Sequence, residues 1–207
     1  MIDNKHKKLI GVSSVLMGHP IRGVITEAKE TGVFVIRLKD ASPDKGIDWS
    51  SCVEIDLPGK RKPDWIEEGD ILFSSRGRNN HAVLVDCMPK EKKIVAAPQF
   101  FIIRDLSSNV LPAYLAWLLN QSPCQRHIKR EAEGGPILNI RRGVIEGTSV
   151  VIPSLQKQKT IINLANAQKQ EQQTLKQLIR NGETTMNTIA NDLFASDMTN
   201  KQKTEKN

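Results

Sequence analysis

From Ser154 to Ala195 the chain contains no proline and a single glycine, Gly182. Over that stretch Ile161, Ala165, Gln168, Gln172, Leu175, Ile179, Gly182, Met186, Ile189 and Leu193 follow one another in alternating steps of four and three. Such steps keep one face of a helix aligned with a partner, as a coiled-coil seam requires. Residues 154–195 therefore read as one long helix whose seam needs covering. Gln168, Gln172 and Gly182 weaken the seam, although polar positions in a seam also fix register and partner number. Periodicity leaves two covers open: a second helix, or the chain's own domain with this helix folded back on it. Residues 196–207 read as a disordered polar tail.

The first 153 residues obey different rules. Apolar, β-branched runs at residues 21–25, 32–38, 53–57, 71–74, 82–85, 94–96 and 100–103 are separated by Pro-, Gly- and Asp-bearing turns. That spacing predicts a curled, largely antiparallel sheet. Residues 39–50, with Asp40, Ser42, Pro43, Asp44 and Gly46, form a loop. Residues 89–93 read as a hairpin turn joining 83–85 to 94–96. Pro112 opens a helix over 112–120, and a second over 123–133 stops at Gly134-Gly135-Pro136. A last strand, 149–152, precedes the long helix. The expected fold is α+β: a mixed, largely antiparallel sheet with a few helices in a domain of residues 1–153, followed by the coiled-coil helix.

Composition narrows the function. With 207 residues, 39% apolar and 26% charged, the chain has the makeup of an ordinary globular protein. No apolar run approaches the roughly 20 residues of a membrane span, and the start Met-Ile-Asp-Asn-Lys-His-Lys-Lys has no secretory apolar core, so a cytoplasmic location is expected. Cys52, Cys87 and Cys124 are far apart and lack the spacing of a zinc site, so they read as reduced thiols and no metal is expected. The net charge of +7 favours polyanionic partners.

Local clusters carry the rest. The run from Glu68 to His81 delivers a buried strand into a loop bearing Arg76, Arg78, Asn79, Asn80 and His81. Arg can donate two hydrogen bonds to the major-groove edge of guanine, and Asn can make the matching pair with adenine, so these five residues are candidates for base reading. Lys60, Arg61 and Lys62 in one turn, and Arg126, Lys129, Arg130, Arg141 and Arg142 around Gly134-Gly135-Pro136, are candidates for phosphate contacts, which give affinity without sequence information. Taken alone, the loop is equally a solvated hairpin tip and each basic cluster is more often just a charged surface; together they make a footprint for DNA.

Catalytic patterns are sparse. There is no phosphate loop of Walker type, no GxSxG elbow and no HExxH. Asp64 followed by Glu91-Lys92-Lys93 superficially matches metal-dependent nucleases, which need two acids and a lysine near the attacked phosphate. Glu91, however, sits in the expected 89–93 turn. A coiled-coil adaptor whose basic surface binds an acidic protein is a further alternative.

Four motifs in order resemble the specificity subunit of type I restriction-modification systems. They are Gly69-Asp70-Ile71-Leu72-Phe73-Ser74 with a nearby Arg-Gly, then Leu111-Pro112-Ala113-Tyr114-Leu115-Ala116-Trp117-Leu118-Leu119-Asn120, then Gly134-Gly135, then Ile152-Pro153-Ser154-Leu155-Gln156-Lys157-Gln158 opening a helix. The resemblance implies a non-catalytic subunit whose target-recognition domain reads a half-site in double-stranded DNA. It also implies a helix that packs on a counterpart and sets the spacing between two such domains. The implied partners are modification subunits that bind S-adenosylmethionine and methylate adenine, and, in systems that restrict, a restriction subunit; no cofactor is implied in this chain. That family usually carries two recognition domains and two helices, whereas this sequence has one of each and no repeat. Lys157 stands before Gln158 where the family generally has an acid. The resemblance thus implies a homodimer on an interrupted palindrome, with half-sites separated by no more than roughly 18 base pairs for a helix of roughly 60 Å.

Overall fold

Ile71-Leu72-Phe73 and Phe100-Phe101-Ile102-Ile103 show none of the alternation of a half-exposed sheet, and the computed structural model explains why: both faces of the sheet they build are covered. The structure describes residues 5–21, 27–28, 31–57, 62–77, 80–90, 92–132 and 138–204. The expected strand at 21–25, apart from Ile21, and the Gly134-Gly135-Pro136 stop lie outside the described residues.

In chain order the elements are β1 (Lys5–Lys8), β2 (Ser14–Met17), β3 (Val33–Ile36), β4 (Ala41–Ser42), β5 (Gly46–Ile47), β6 (Val53–Glu54), β7 (Ile71–Ser74), β8 (Arg76–Gly77), β9 (Ala82–Leu84), β10 (Lys93–Ala96) and β11 (Phe100–Arg104). Helices α1 (Pro112–Leu119) and α2 (Ser122–Glu131) come next, then β12 (Leu138–Asn139), α3 (Arg142–Glu146), β13 (Ser149–Ile152) and α4 (Leu155–Thr204). By Cα packing the chain divides into two units, Met1–Ile162 and Asn163–Asn207.

The central sheet of the first unit has the order β2-β11-β7-β9 and is antiparallel throughout. Its register sets Ile103 between Val15 and Ile71, and Phe101 opposite Phe73. This face packs with Tyr114, Leu115 and Leu119 of α1 and Ile128 of α2. The alternate residues Leu72, Val83, Phe100 and Ile102 face the other way and join Val35, Ile36, Ile94 and Val95 from a second sheet, β10-β3-β6. Each fully buried Phe, Ile or Leu removes apolar surface worth about 1.5–3 kcal/mol. With few aromatics, the chain spreads this burial over many aliphatic side chains.

Several sequence expectations change here. β10 runs parallel to β3, the only parallel pairing among the described strands. β9 and β10 lie in different sheets, so the hairpin expected at 89–93 does not form; β9 pairs instead with β7. Several strands go beyond the sequence expectation: the two-residue β4, β5, β8 and β12, the longer β2, and β1, which pairs antiparallel with β13 although its Lys-His-Lys-Lys sequence carries no apolar signal. The chain leaves β2 through Gly18, whose amide reaches Phe100 O at 2.9 Å while His19 N reaches Ala96 O at 2.8 Å. A Cβ at Gly18 would lie 2.0 Å from Ala97 O, so only glycine can cross between the sheets at this point. The long helix continues past Ala195 to Thr204, because the polar residues expected to form a tail include no Pro or Gly to end it.

Polar side chains fasten these layers. Asn120, just past α1, accepts from Ala82 N and donates to Ala82 O, each at 2.8 Å, thereby closing the free edge of β9. Tyr114 Oη donates to Val151 O at 2.8 Å. Asp70 accepts from Arg104 Nε at 3.0 Å and from Glu67 N at 2.9 Å, and burial pushes its carboxyl above the ordinary range against the pull of Arg104. Arg37 and Asp40 form a second ion pair, with Ser51 Oγ donating to Asp40 at 2.9 Å, and this organises the 37–51 loop. The three cysteines are free, and burial pushes the thiols of Cys52 and Cys124 up to about 11.

Candidate nucleic-acid interface

The hairpin of β7 and β9 carries the Arg- and Asn-bearing loop at its tip. Ser74 closes that tip from inside: Ser74 N donates to His81 O at 2.9 Å, and His81 N returns a bond to Ser74 Oγ at 2.8 Å. Asn80 is 4% exposed and donates Nδ2 to Ser74 O at 2.8 Å. Nδ2 is thus committed to shaping the loop and Oδ1 is buried, in contrast to the base-facing position expected from sequence. His81 is half-buried, with Nε2 3.3 Å from Ala41 O in the 37–51 loop. Arg78 and Asn79 lie outside the described residues. Of the expected base readers that are described, Arg76 is the exposed one.

Arg76 belongs to β8, which pairs with β12 in a two-stranded ribbon. The register sets Arg76 opposite Asn139 and Gly77 opposite Leu138. Gly77 has φ +137°, a conformation that favours glycine. Ile140 N donates to Ser75 O at 2.8 Å, and Ser75 N donates to Gln99 O at 2.7 Å, so the ribbon is anchored to the strand connection beneath it.

Past β12 the chain turns into α3 through Arg141 and Arg142, both exposed. Arg142 Nε donates to Glu146 Oε1 at 2.6 Å, an exposed i,i+4 pair of the kind that contributes little stability and can exchange partners. α3 is a neighbour of α2. On α2, Cys124 and Ile128 face the core while Arg126, Lys129 and Arg130 are exposed. Lys129 and Arg130 occupy the last turn, where they also complement the helix dipole, and Arg130 Nε contacts Glu131 at 3.0 Å. The fold therefore brings Arg76, Arg141 and Arg142 to one ribbon and its exit, and sets the α2 cluster on an adjoining helix. Lys62 is exposed and lies outside these elements; Lys60 and Arg61 are not among the described residues.

Asn139 is not singled out by the sequence, and Gln158 is marked there only as part of the motif that opens the long helix. Asn139 is exposed between partly buried Leu138 and buried Ile140, and this in-out-in pattern was the one available signal. Gln158 is fully buried in the first turns of α4. Its Oε1 accepts from Leu111 N and its Nε2 donates to Asn109 O and Pro153 O, all at 2.8 Å. With Ile161 and Ile162 packed on the α1 side of the core, it fastens the start of α4 within the first unit, so one expected seam residue is used by the domain itself.

Among the described residues, no group of three or more His, Cys, Asp or Glu could hold a metal ion. Of the nuclease-like set, Glu91 lies outside the described residues. The neighbouring ammonium groups are spent on aromatic rings: Lys92 lies 4.1 Å from the centre of Phe34, and Lys93 lies 5.9 Å from that of Trp65. No described helix is long and apolar enough to cross a membrane.

From Asn163 to Phe194 nearly every residue of α4 is exposed. Leu175, Ile179, Met186, Ile189 and Leu193 of the expected seam are all large apolar side chains in contact with water. Leu164 and Leu178, one residue before the seam positions Ala165 and Ile179, widen the stripe.

No protein-family model matches the sequence, and no curated protein matches it. Solved structures do. The chain is similar to the S subunit of a type I restriction-modification system from M. genitalium, with a TM-score of 0.55 and 16% identity over 86% of this chain and 42% of that one. It is also similar to the HsdS subunit from Thermoanaerobacter tengcongensis, with a TM-score of 0.62 and 16% identity over 84% of this chain and 44% of that one. A third match, from a study of assembly and conformational transition in a type I system, has a TM-score of 0.58 at 15% identity, over 84% of this chain and 40% of that one. The chain thus has the fold of part of an S subunit and spans less than half the length of the solved chains it matches.

Proposed function

We propose that this chain is a non-catalytic DNA-specificity subunit of a type I restriction-modification assembly. The β8/β12 ribbon and the tip of the β7–β9 hairpin read bases, with Arg76 the principal described reader. Arg141, Arg142, Arg126, Lys129 and Arg130 hold phosphates. Two copies pair through the apolar stripe of α4, and modification subunits carrying S-adenosylmethionine dock on the dimer and methylate the bound DNA. The observation that carries the reading is the S-subunit fold over more than four-fifths of the chain. An exposed arginine on a two-stranded ribbon supports it, because the major groove admits such a ribbon.

Dimerisation is supported by the seam itself. A row of exposed Leu, Ile and Met at coiled-coil spacing leaves an isolated helix with apolar surface unpaired, and a second such helix covers it.

The test is affinity selection from random-sequence duplexes by the purified chain at moderate salt, with sequencing of the bound fraction. Enrichment of a shared motif is expected. Uniform recovery of unrelated sequences would leave only phosphate binding and favour an adaptor that uses its basic surface on an acidic protein.

A further inference from the structure

In an antiparallel pair, directly opposite residues project from the same face with Cβ atoms about 4.5–5.5 Å apart. Arg76 and Asn139 are such a pair, and both are exposed. Their neighbours point inward: Ser75 is 5% exposed, Ile140 is 2% exposed, and Leu138 packs against the core beside α1. Backbone bonds from Ile140 to Ser75 and from Ser75 to Gln99 hold the platform from beneath. Neither the Arg76 nor the Asn139 side chain has a hydrogen-bond or ion-pair partner among the described residues, so both are free to engage a ligand.

We propose that Arg76 and Asn139 act as one two-residue reader of adjacent base pairs, Arg76 taking guanine and Asn139 adenine. The inference rests on the DNA-reading function proposed above and adds a residue that the charge pattern could not reveal. A guanidinium presents two donors that match O6 and N7 of guanine, while a carboxamide presents one donor and one acceptor that match N7 and N6 of adenine. Successive base pairs are about 3.4 Å apart, which two side chains rooted side by side on a ribbon can span. Arg141 and Arg142 follow Asn139 within three residues and are placed to grip the backbone beside the bases being read.

The test repeats the random-duplex selection with Asn139→Ala, Asn139→Asp, Arg76→Ala and Arg141→Ala. Wild type is expected to recover a motif containing neighbouring guanine and adenine. Asn139→Ala should lose about tenfold of the preference at the adenine alone. Asn139→Asp, left with acceptors only, should shift that position toward cytosine. Arg76→Ala should relax the neighbouring guanine, and Arg141→Ala should weaken all duplexes alike while lowering the salt slope by about one. Asn139 is exposed and its backbone pairing survives substitution, so thermal melts of the variants should match wild type. A wild-type motif left intact by both Asn139 substitutions would overturn the paired reader and leave DNA reading standing. Absence of any wild-type motif would overturn both.

Discussion

Gln158 is fully buried and hydrogen-bonds through both ends of its amide: Oε1 accepts from Leu111 N, and Nε2 donates to Asn109 O and Pro153 O. Gln158→Glu keeps the shape but turns a carboxylate toward two carbonyl oxygens. The folded state then favours the protonated acid, so the carboxyl's folded pKa rises above its unfolded value of about 4.3. A raised folded pKa means that stability is fully present below about pH 4 and is lost as the pH rises through the folded value. Urea unfolding should therefore find the variant on the order of 3 kcal/mol less stable than wild type at pH 8, with the gap narrowing toward pH 4. A gap independent of pH would show that these carbonyls do not face the side chain. In sequence, Gln158 stands in the motif that opens the long helix, beside the departure at Lys157; that it is an internal fastener depends on residues almost fifty positions away. The same limit applies to Asn80, whose composition suits a base but whose place inside the hairpin was set by Ser74.

At the scale of elements, legibility followed where the stabilising free energy comes from. β7, β11 and α1 follow from their own apolar patterns, and so does the body of α4, whose end at Thr204 lies past the 195 that the periodicity predicts. β1 is held by backbone pairing to β13, and β8 and β12 are two residues each, too short for any period to show. β9 and β10 were joined into a hairpin because neighbours in sequence usually pair, whereas here the chain crosses between sheets. For α4 the periodic pattern makes a testable demand. Leu175 is 53% exposed and lies beside Leu178 and Ile179 in the middle of the stripe. Leu175→Glu should place two buried carboxylates in the proposed seam and convert a dimer to a monomer, as read by light scattering across a concentration series. A wild-type chain that is already monomeric, or a variant mass that does not change, would count against pairing through this face.

At the scale of the whole molecule, the proposed pairing turns local chemistry into a rule about the target. Two identical readers related by a two-fold axis contact the same half-site twice, in opposite orientations. The 50-residue α4 spans about 75 Å at 1.5 Å per residue, a distance of roughly 22 base pairs of B-DNA. That is longer than the sequence suggested, because the helix runs on to Thr204. The most direct measurement is therefore the symmetry of the duplexes that this chain recovers from a random pool. Inverted repeats of one short half-site, separated by a gap of fixed length within that span, are the expected result. A single unrepeated motif, or repeats with no preferred gap, would contradict a symmetric dimer that reads DNA through its two ribbons.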